Sequence, residues 1–422
     1  MFHVPRRAGN HPRRLAAVLI VMLCGVLALA AWTGVRTAEP TALAHPAVAE
    51  LKRPPVVAVN DLPQLSASLA NHQRFMGGIL VARGDQVLFR WVQGPANADE
   101  DRPLALDTPF RLASVSKQFT AVVILKLQDE GRLTISDPVC KWIQPCPAAW
   151  ANIRIHHLLT HTSGIPDLMA RPAWGLRRVT PTNLAELTAD SARYPLQFEP
   201  GTKVRYNNAG FNLAAAIVEK ASGMPFETYL RTALFEPLGL TQTGLGEVPN
   251  LAMGYANFPS GLAAQPQANV SVVTGAGALY STLDDMLAWQ RGLHGGRILS
   301  PYGYAQMIAD HSPPDTPDER GRPHRAWGYG IFANRLGRQV QPAFEAPQIY
   351  HTGSWSGFRN LVIHQPEEDI TVIVLSNNYH QRDEVFLLAQ QALAEALGRP
   401  FPTTLSRGSP ARPAEVTPAP QD

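Results

Sequence analysis

Ser114-Val115-Ser116-Lys117 places a hydroxyl and an amine three residues apart, at the start of an apolar run. On a helix that spacing lays both side chains on one face, within reach of each other. A serine hydroxyl becomes a nucleophile when a neighbouring base removes its proton. A lysine can be that base if its amine is kept neutral. Of the six lysines in the chain, only Lys117 has a serine three residues before it.

Two further groups follow in order. Tyr206-Asn207-Asn208 comes after Pro200-Gly201 and before an apolar helical stretch at 211–219. A tyrosine on such a loop can shuttle a proton if nearby cations lower its pKa of roughly 10. Asn208 can hold a substrate amide and also bond the lysine. His351-Thr352-Gly353 ends an apolar strand. His351 would face a substrate carboxylate or the tyrosine, and Gly353 would let a substrate approach the backbone. The backbone N–H of Ser354, paired with that of Ser114, would make an oxyanion hole.

Plainer readings exist for each group. Ser114 could cap a helix, with Lys117 in solvent and His351 a satisfied strand histidine. Three motifs in order favour chemistry over that reading. Tyr255-Ala256-Asn257 repeats the tyrosine pattern, but no comparable helix follows it. His161-Thr162-Ser163-Gly164 nearly repeats the histidine pattern and reads as structural. His156, His157 and His161 lack a His-Glu-x-x-His pattern or a carboxylate partner, so no metal is expected. No Gly-x-Ser-x-Gly elbow, phosphate loop or dinucleotide fingerprint occurs, and no cofactor is expected.

The elements that must carry these residues can be sketched. Asp61 to His72 reads as a helix with Asp61 as N-cap and Leu62, Leu65 and Leu69 on one stripe. Residues 78–83 and 86–92 flank Gly84-Asp85, a hairpin with a two-residue turn. The Ser114 helix ends near Gly131. A mostly helical insert follows, at about 131–265. Strands return at 327–332, 348–351, 360–364 and 370–375, closely spaced and hence antiparallel. A last helix spans Arg382 to Leu397, stopped by Gly398 and Pro400. The fold class is α+β: one antiparallel sheet from both chain ends, flanked by helices, with a helical inserted subdomain.

The chain ends differ in kind. Within residues 1–36, Arg6, Arg7, Arg13 and Arg14 precede an apolar run from Leu15 to Ala31, with Ala28-Leu29-Ala30 as a cleavage site. This order describes a secretory signal peptide, or a membrane anchor through residues 15–31. Residues 37–60 read as a linker, and the proline-rich residues 401–422 as a disordered tail. The net charge of +3 is carried by the five arginines in residues 1–38, so the remainder is slightly acidic and nucleic-acid binding is not indicated. Cys140 and Cys146, an isolated close pair in a chain that reads as exported, periplasmic or secreted, suit a local disulfide.

The ordered motifs Ser114-x-x-Lys117, Tyr206-x-Asn208 and His351-Thr352-Gly353 resemble those of the penicillin-recognising serine hydrolases, in particular class C β-lactamases with their D,D-carboxypeptidase and esterase relatives. The resemblance covers about residues 61–398. It includes segments 158–166, 221–226, 235–239 and 275–282. It implies a β-lactamase/transpeptidase-like domain at 61–400 that hydrolyses its substrate through an acyl-enzyme on Ser114. Lys117 and Tyr206 would share the acid–base work, and Asn208, His351, Thr352, Gly353 and Ser354 would bind substrate. Either Lys117 or Tyr206 would be the acylation base. The class C enzymes usually have lysine where this chain has His351, which weakens the case for β-lactam hydrolysis. A D-Ala-D-Ala-type peptide is then the first expected substrate, with small acyl esters and β-lactams as alternatives. A binding protein with a decayed site is the remaining reading.

Overall fold

The computed structural model describes residues 56–266, 268–313 and 326–406. Its centre is an eight-stranded sheet. The strands are β1 (Val56–Asn60), β2 (Gly77–Arg83), β3 (Gln86–Gln93), β4 (Ala326–Trp327), β5 (Phe332–Asn334), β6 (Gln348–Trp355), β7 (Phe358–Gln365) and β8 (Ile370–Ser376). Their order across the sheet is β1-β3-β2-β8-β7-β6-β5-β4, and every neighbouring pair is antiparallel. The two chain ends meet where β2 pairs with β8, Leu80 opposite Ile373.

Residues of β8 are buried along its whole length. A continuous apolar strand of this kind needs a cover on both faces. Ile79, Val81, Val372 and Val374 face one cluster, closed by α1 (Pro63–Asn71) and α5 (Arg382–Ala396). Leu80, Ala82, Ile373 and Leu375 face the other cluster. That cluster is closed by α2 (Lys117–Asp129), α3 (Asn208–Ser222) and α4 (Leu283–His294). Between α2 and the short hairpin at 255–264 the chain is mostly short helices and turns around α3.

Several local expectations are corrected. The N-cap of α1 is Leu62, without a side-chain cap, and not Asp61. The carboxylate of Glu395 on α5 accepts instead from Gln64 N (2.8 Å) and Leu65 N (2.7 Å). A tertiary carboxylate thus satisfies the orphan donors and the positive helix end. The expected strand 327–332 is a tight hairpin of β4 and β5. Gly330 has φ +66°, and a Cβ there would meet the Lys117 carbonyl oxygen at 2.5 Å. The span expected as linker to residue 60 ends in β1, whose register runs Val56 opposite Val92 to Asn60 opposite Phe89. Residues 401–406 are ordered: Thr404–Leu405 pairs with Val340–Gln341, and Gln391 Nε2 donates to the Pro402 carbonyl at 2.8 Å. The leader and anchor readings, and the tail beyond residue 406, lie outside the described residues.

Cys140 and Cys146 form a disulfide. Closing so short a loop restrains the unfolded chain modestly. The paired change Cys140→Ser, Cys146→Ser is expected to lower unfolding stability by about 2 kcal/mol. A urea titration checks this, and an unmoved midpoint would refute it.

Candidate active site

The nucleophile candidate sits on a strained corner. After residues 110–111, Ala113–Ser116 form a 3-10 turn that runs straight into α2. Ala113 has φ +51°, a left-handed conformation that costs a non-glycine residue energy and tends to mark functional corners. From Thr108 to Leu125 every residue is buried except Ser114. The corner therefore presents one side chain to the outside. Ser116, the other hydroxyl of the motif, is buried and accepts from Leu279 N at 3.2 Å.

Lys117 is fully buried, one turn below Ser114. Its Nζ lies 2.8 Å from Asn208 Oδ1, 2.8 Å from the Ala276 carbonyl oxygen and 3.2 Å from Ser114 Oγ. Burial lowers its pKa to about 7, against the opposing pull of the Asp167 carboxylate. A large fraction of the amine is thus neutral near pH 7. A neutral amine has two N–H groups and one lone pair. The amide and carbonyl oxygens can only accept, so they take both N–H groups. The lone pair is left facing the Ser114 hydroxyl.

Tyr206 and Asn208 arrive from the start of α3. Asn207 caps that helix, its side chain accepting from Gly210 N at 2.8 Å. The Tyr206 hydroxyl faces the Ser114 side chain, which favours its ionised form. Its ring is partly exposed, and Lys117 Nζ lies 4.8 Å from the ring centre. The expected lowering of its pKa is not found. Burial of the hydroxyl end pushes it above its ordinary value, outweighing the opposite influence of Ser114, and the Asp167 carboxylate pushes the same way. The cation nearest to it is Lys117, whose own pKa burial has lowered to about 7, so its charge is only partly present at neutral pH.

The third motif lies on β6. The two-residue turn at Ser356-Gly357 makes Trp355 and Phe358 a hydrogen-bonded pair, so Gly353 and His351 bond β7 as well. Thr352 and Ser354 then turn their N–H groups toward the β5 side, where β5 has already ended at Phe332, opposite Tyr350. This leaves the Ser354 N–H directed past the strand end. The Ser354 hydroxyl accepts from Arg359 Nη1 at 2.6 Å. Gly353 does not make room for a substrate. A Cβ there would meet the Leu112 carbonyl oxygen at 2.4 Å, so the glycine lets β6 press against the nucleophile's own corner. Asn360 on β7 ties the two together, donating to the carbonyls of Arg111 (2.8 Å) and Leu112 (3.1 Å). The His351 ring is buried and stacks on Phe332, 4.7 Å between centres.

A model of the family described as Beta-lactamase matches residues 64–396. The chain belongs to the β-lactamase family. Within that family it is 28% identical over 374 residues to penicillin-binding protein 4* of Bacillus subtilis, covering 84% of this chain and 78% of that one. It is 28% identical over 328 residues to the esterase EstB of Burkholderia gladioli, covering 68% and 81%. Among solved structures it is similar to the octameric penicillin-binding protein homologue from Pyrococcus abyssi, with TM-score 0.68, 26% identity, and 80% and 78% covered. It is a serine hydrolase of the β-lactamase family, and its α+β fold is the one these neighbours share.

The structure of this β-lactamase family member also shows what the motifs did not. His161, read from sequence as structural, lies beside Tyr206 with ring centres 4.5 Å apart. Its Nδ1 accepts from Asn207 N at 3.0 Å and its carbonyl from Arg205 N at 2.9 Å. It therefore holds the tyrosine loop from both sides. Burial lowers its pKa well below the ordinary value, with Lys117 and His351 adding to the effect, so its ring is neutral. Asp167 was missed entirely. Its carboxylate bonds Asn208 through both side chain (2.9 Å) and backbone (3.3 Å). The only sequence hint was its place directly after the family-like segment 158–166. The rival Tyr255 is elsewhere, its hydroxyl accepting from Ala98 N at 2.6 Å.

Proposed function

We propose that this protein hydrolyses a small acyl substrate through an acyl-enzyme on Ser114, with Lys117 as the base of acylation. The observation that carries this is the placement of Lys117 Nζ, both of whose neutral N–H groups face oxygens at 2.8 Å while Ser114 Oγ stands at 3.2 Å. Ser114 Oγ attacks the substrate carbonyl and its proton passes to Lys117 Nζ. The carbonyl oxygen becomes an anion between the backbone N–H groups of Ser114 and Ser354. As the intermediate collapses, the proton moves to the leaving group through the Tyr206 hydroxyl, which is protonated and in reach of Ser114. Water then attacks the ester, releasing the acid and restoring Ser114.

The D-Ala-D-Ala-type peptide expected from the sequence is one substrate for this machinery, and the Bacillus relative's name supports it. Acyl esters are the other, supported by the Burkholderia relative's name and by Asn208, whose N–H groups already face Asp167 and Met169. The protein is further proposed to be exported, carrying a signal or anchor in residues 1–36. The disulfide and the arginine-then-apolar order of the leader support this. No helix among the described residues is long and apolar enough to cross a membrane.

Intact mass tests the acyl-enzyme. A fluorophosphonate is expected to add once, on the peptide carrying Ser114, and labelling elsewhere would overturn the assignment. Benzylpenicillin in the same assay sorts the substrates. A lasting adduct points to the peptidase, rapid penicillin loss without adduct to a β-lactamase, and neither to the esterase.

A further inference from the structure

Both side-chain N–H groups of Asn208 already have a partner, one a carboxylate and the other a thioether, the weaker acceptor. Its side-chain amide carries two N–H groups. Nδ2 donates to Asp167 Oδ2 at 2.9 Å and to Met169 Sδ at 2.9 Å. Oδ1 accepts from Lys117 Nζ at 2.8 Å. Reversing the amide would set its NH2 against the lysine N–H and its oxygen against the carboxylate, so the orientation is fixed. Both acceptors come from one element, the 3-10 turn Leu168–Ala170 with Asp167 as its cap. Asp167 Oδ1 is itself held by Met169 N at 3.2 Å.

We infer that Asp167 and Met169 are specificity-determining positioning residues which, by occupying both N–H groups of Asn208, make the site select acyl groups that carry no amide. A D-Ala-D-Ala-type peptide, like a penicillin, has an amide on the carbon next to the scissile carbonyl. Entering this site, that amide carbonyl would leave water and find the Asn208 donors taken. An unsatisfied buried acceptor is penalised, whereas a plain alkyl group in the same place loses nothing. The inference rests on Ser114 being the acylated residue, and names esters of simple carboxylic acids as the substrate class.

Two p-nitrophenyl esters of equal chain length test it, valerate and N-acetylglycinate, each rate being divided by that ester's rate with hydroxide. Wild type is expected to favour valerate at least about tenfold in kcat/KM. Met169→Leu, which conserves volume, and Asp167→Ala are each expected to narrow that preference about three- to tenfold, the worth of one hydrogen bond. Damage to the fold alone lowers both esters together and leaves the ratio where it was. Preference for N-acetylglycinate in wild type, or an unmoved ratio in both variants, would overturn the inference. Ser114→Ala keeps the premise separate: if it hydrolyses valerate as fast as wild type, the acyl-enzyme reading itself has failed.

Discussion

Ser114→Ala and Lys117→Met are each expected to lower kcat/KM for an aryl ester by about 10⁴-fold, and the double variant to lose little more. Groups that act as one unit are strongly non-additive, because removing either leaves the other without a task. The lysine's lone pair faces only the serine hydroxyl, so the pair behaves as such a unit. A double variant that multiplied the two losses would mean they act separately. The pH profile gives an independent check. The working form of Lys117 is the neutral amine, and burial sets its pKa to about 7. In wild type kcat/KM should therefore level off above pH 7 and fall about tenfold per unit below it. The Asp167 carboxylate favours the charged amine, so Asp167→Asn should move this limb to lower pH. A limb near pH 10, or one unmoved in Asp167→Asn, would assign the base to another group.

Gly353→Ala is expected to lower kcat/KM about 100-fold, far more than one methyl group would in an open site. The added Cβ would lie 2.4 Å from the Leu112 carbonyl oxygen, which is backbone and cannot swing aside. Strand β6 is held by β5 and β7, and Leu112 is tied to β7 through Asn360. The strain must then separate the β6 backbone from the Ser114 corner. Those two segments carry the N–H groups proposed to hold the oxyanion, and shifts near 1 Å in such a site cost about this much in rate. Kinetics beside a thermal melt would show it. Activity within twofold of wild type would mean that the corner and the strand move independently.

These outcomes rest on features of unequal legibility. The Ser114–Lys117 pair, the Tyr206–Asn208 loop and the 84–85 hairpin turn are local patterns, and helical spacing or alternation alone places them. The sheet from both chain ends was likewise readable from where the apolar strands fall. What the sequence hid was decided by distant contacts. Glu395 caps α1 from more than three hundred residues away. Gly353 answers to a carbonyl of another segment. Asp167 looks like an ordinary turn residue until α3 lays Asn208 against it. The sign of the Tyr206 shift depended on how deeply its hydroxyl and Lys117 are enclosed, which spacing does not carry.

The pairing of β2 with β8 has a consequence for how the molecule comes into being. Residue 80 waits for residue 373 before the middle of its sheet exists. On the ribosome, 293 residues separate Leu80 from Ile373, its partner. Contacts this distant in sequence make for slow collapse into native order. The centre of the sheet therefore cannot close until β8 has been made, and β2 spends that whole interval with β3 as its only strand neighbour from the earlier part of the chain.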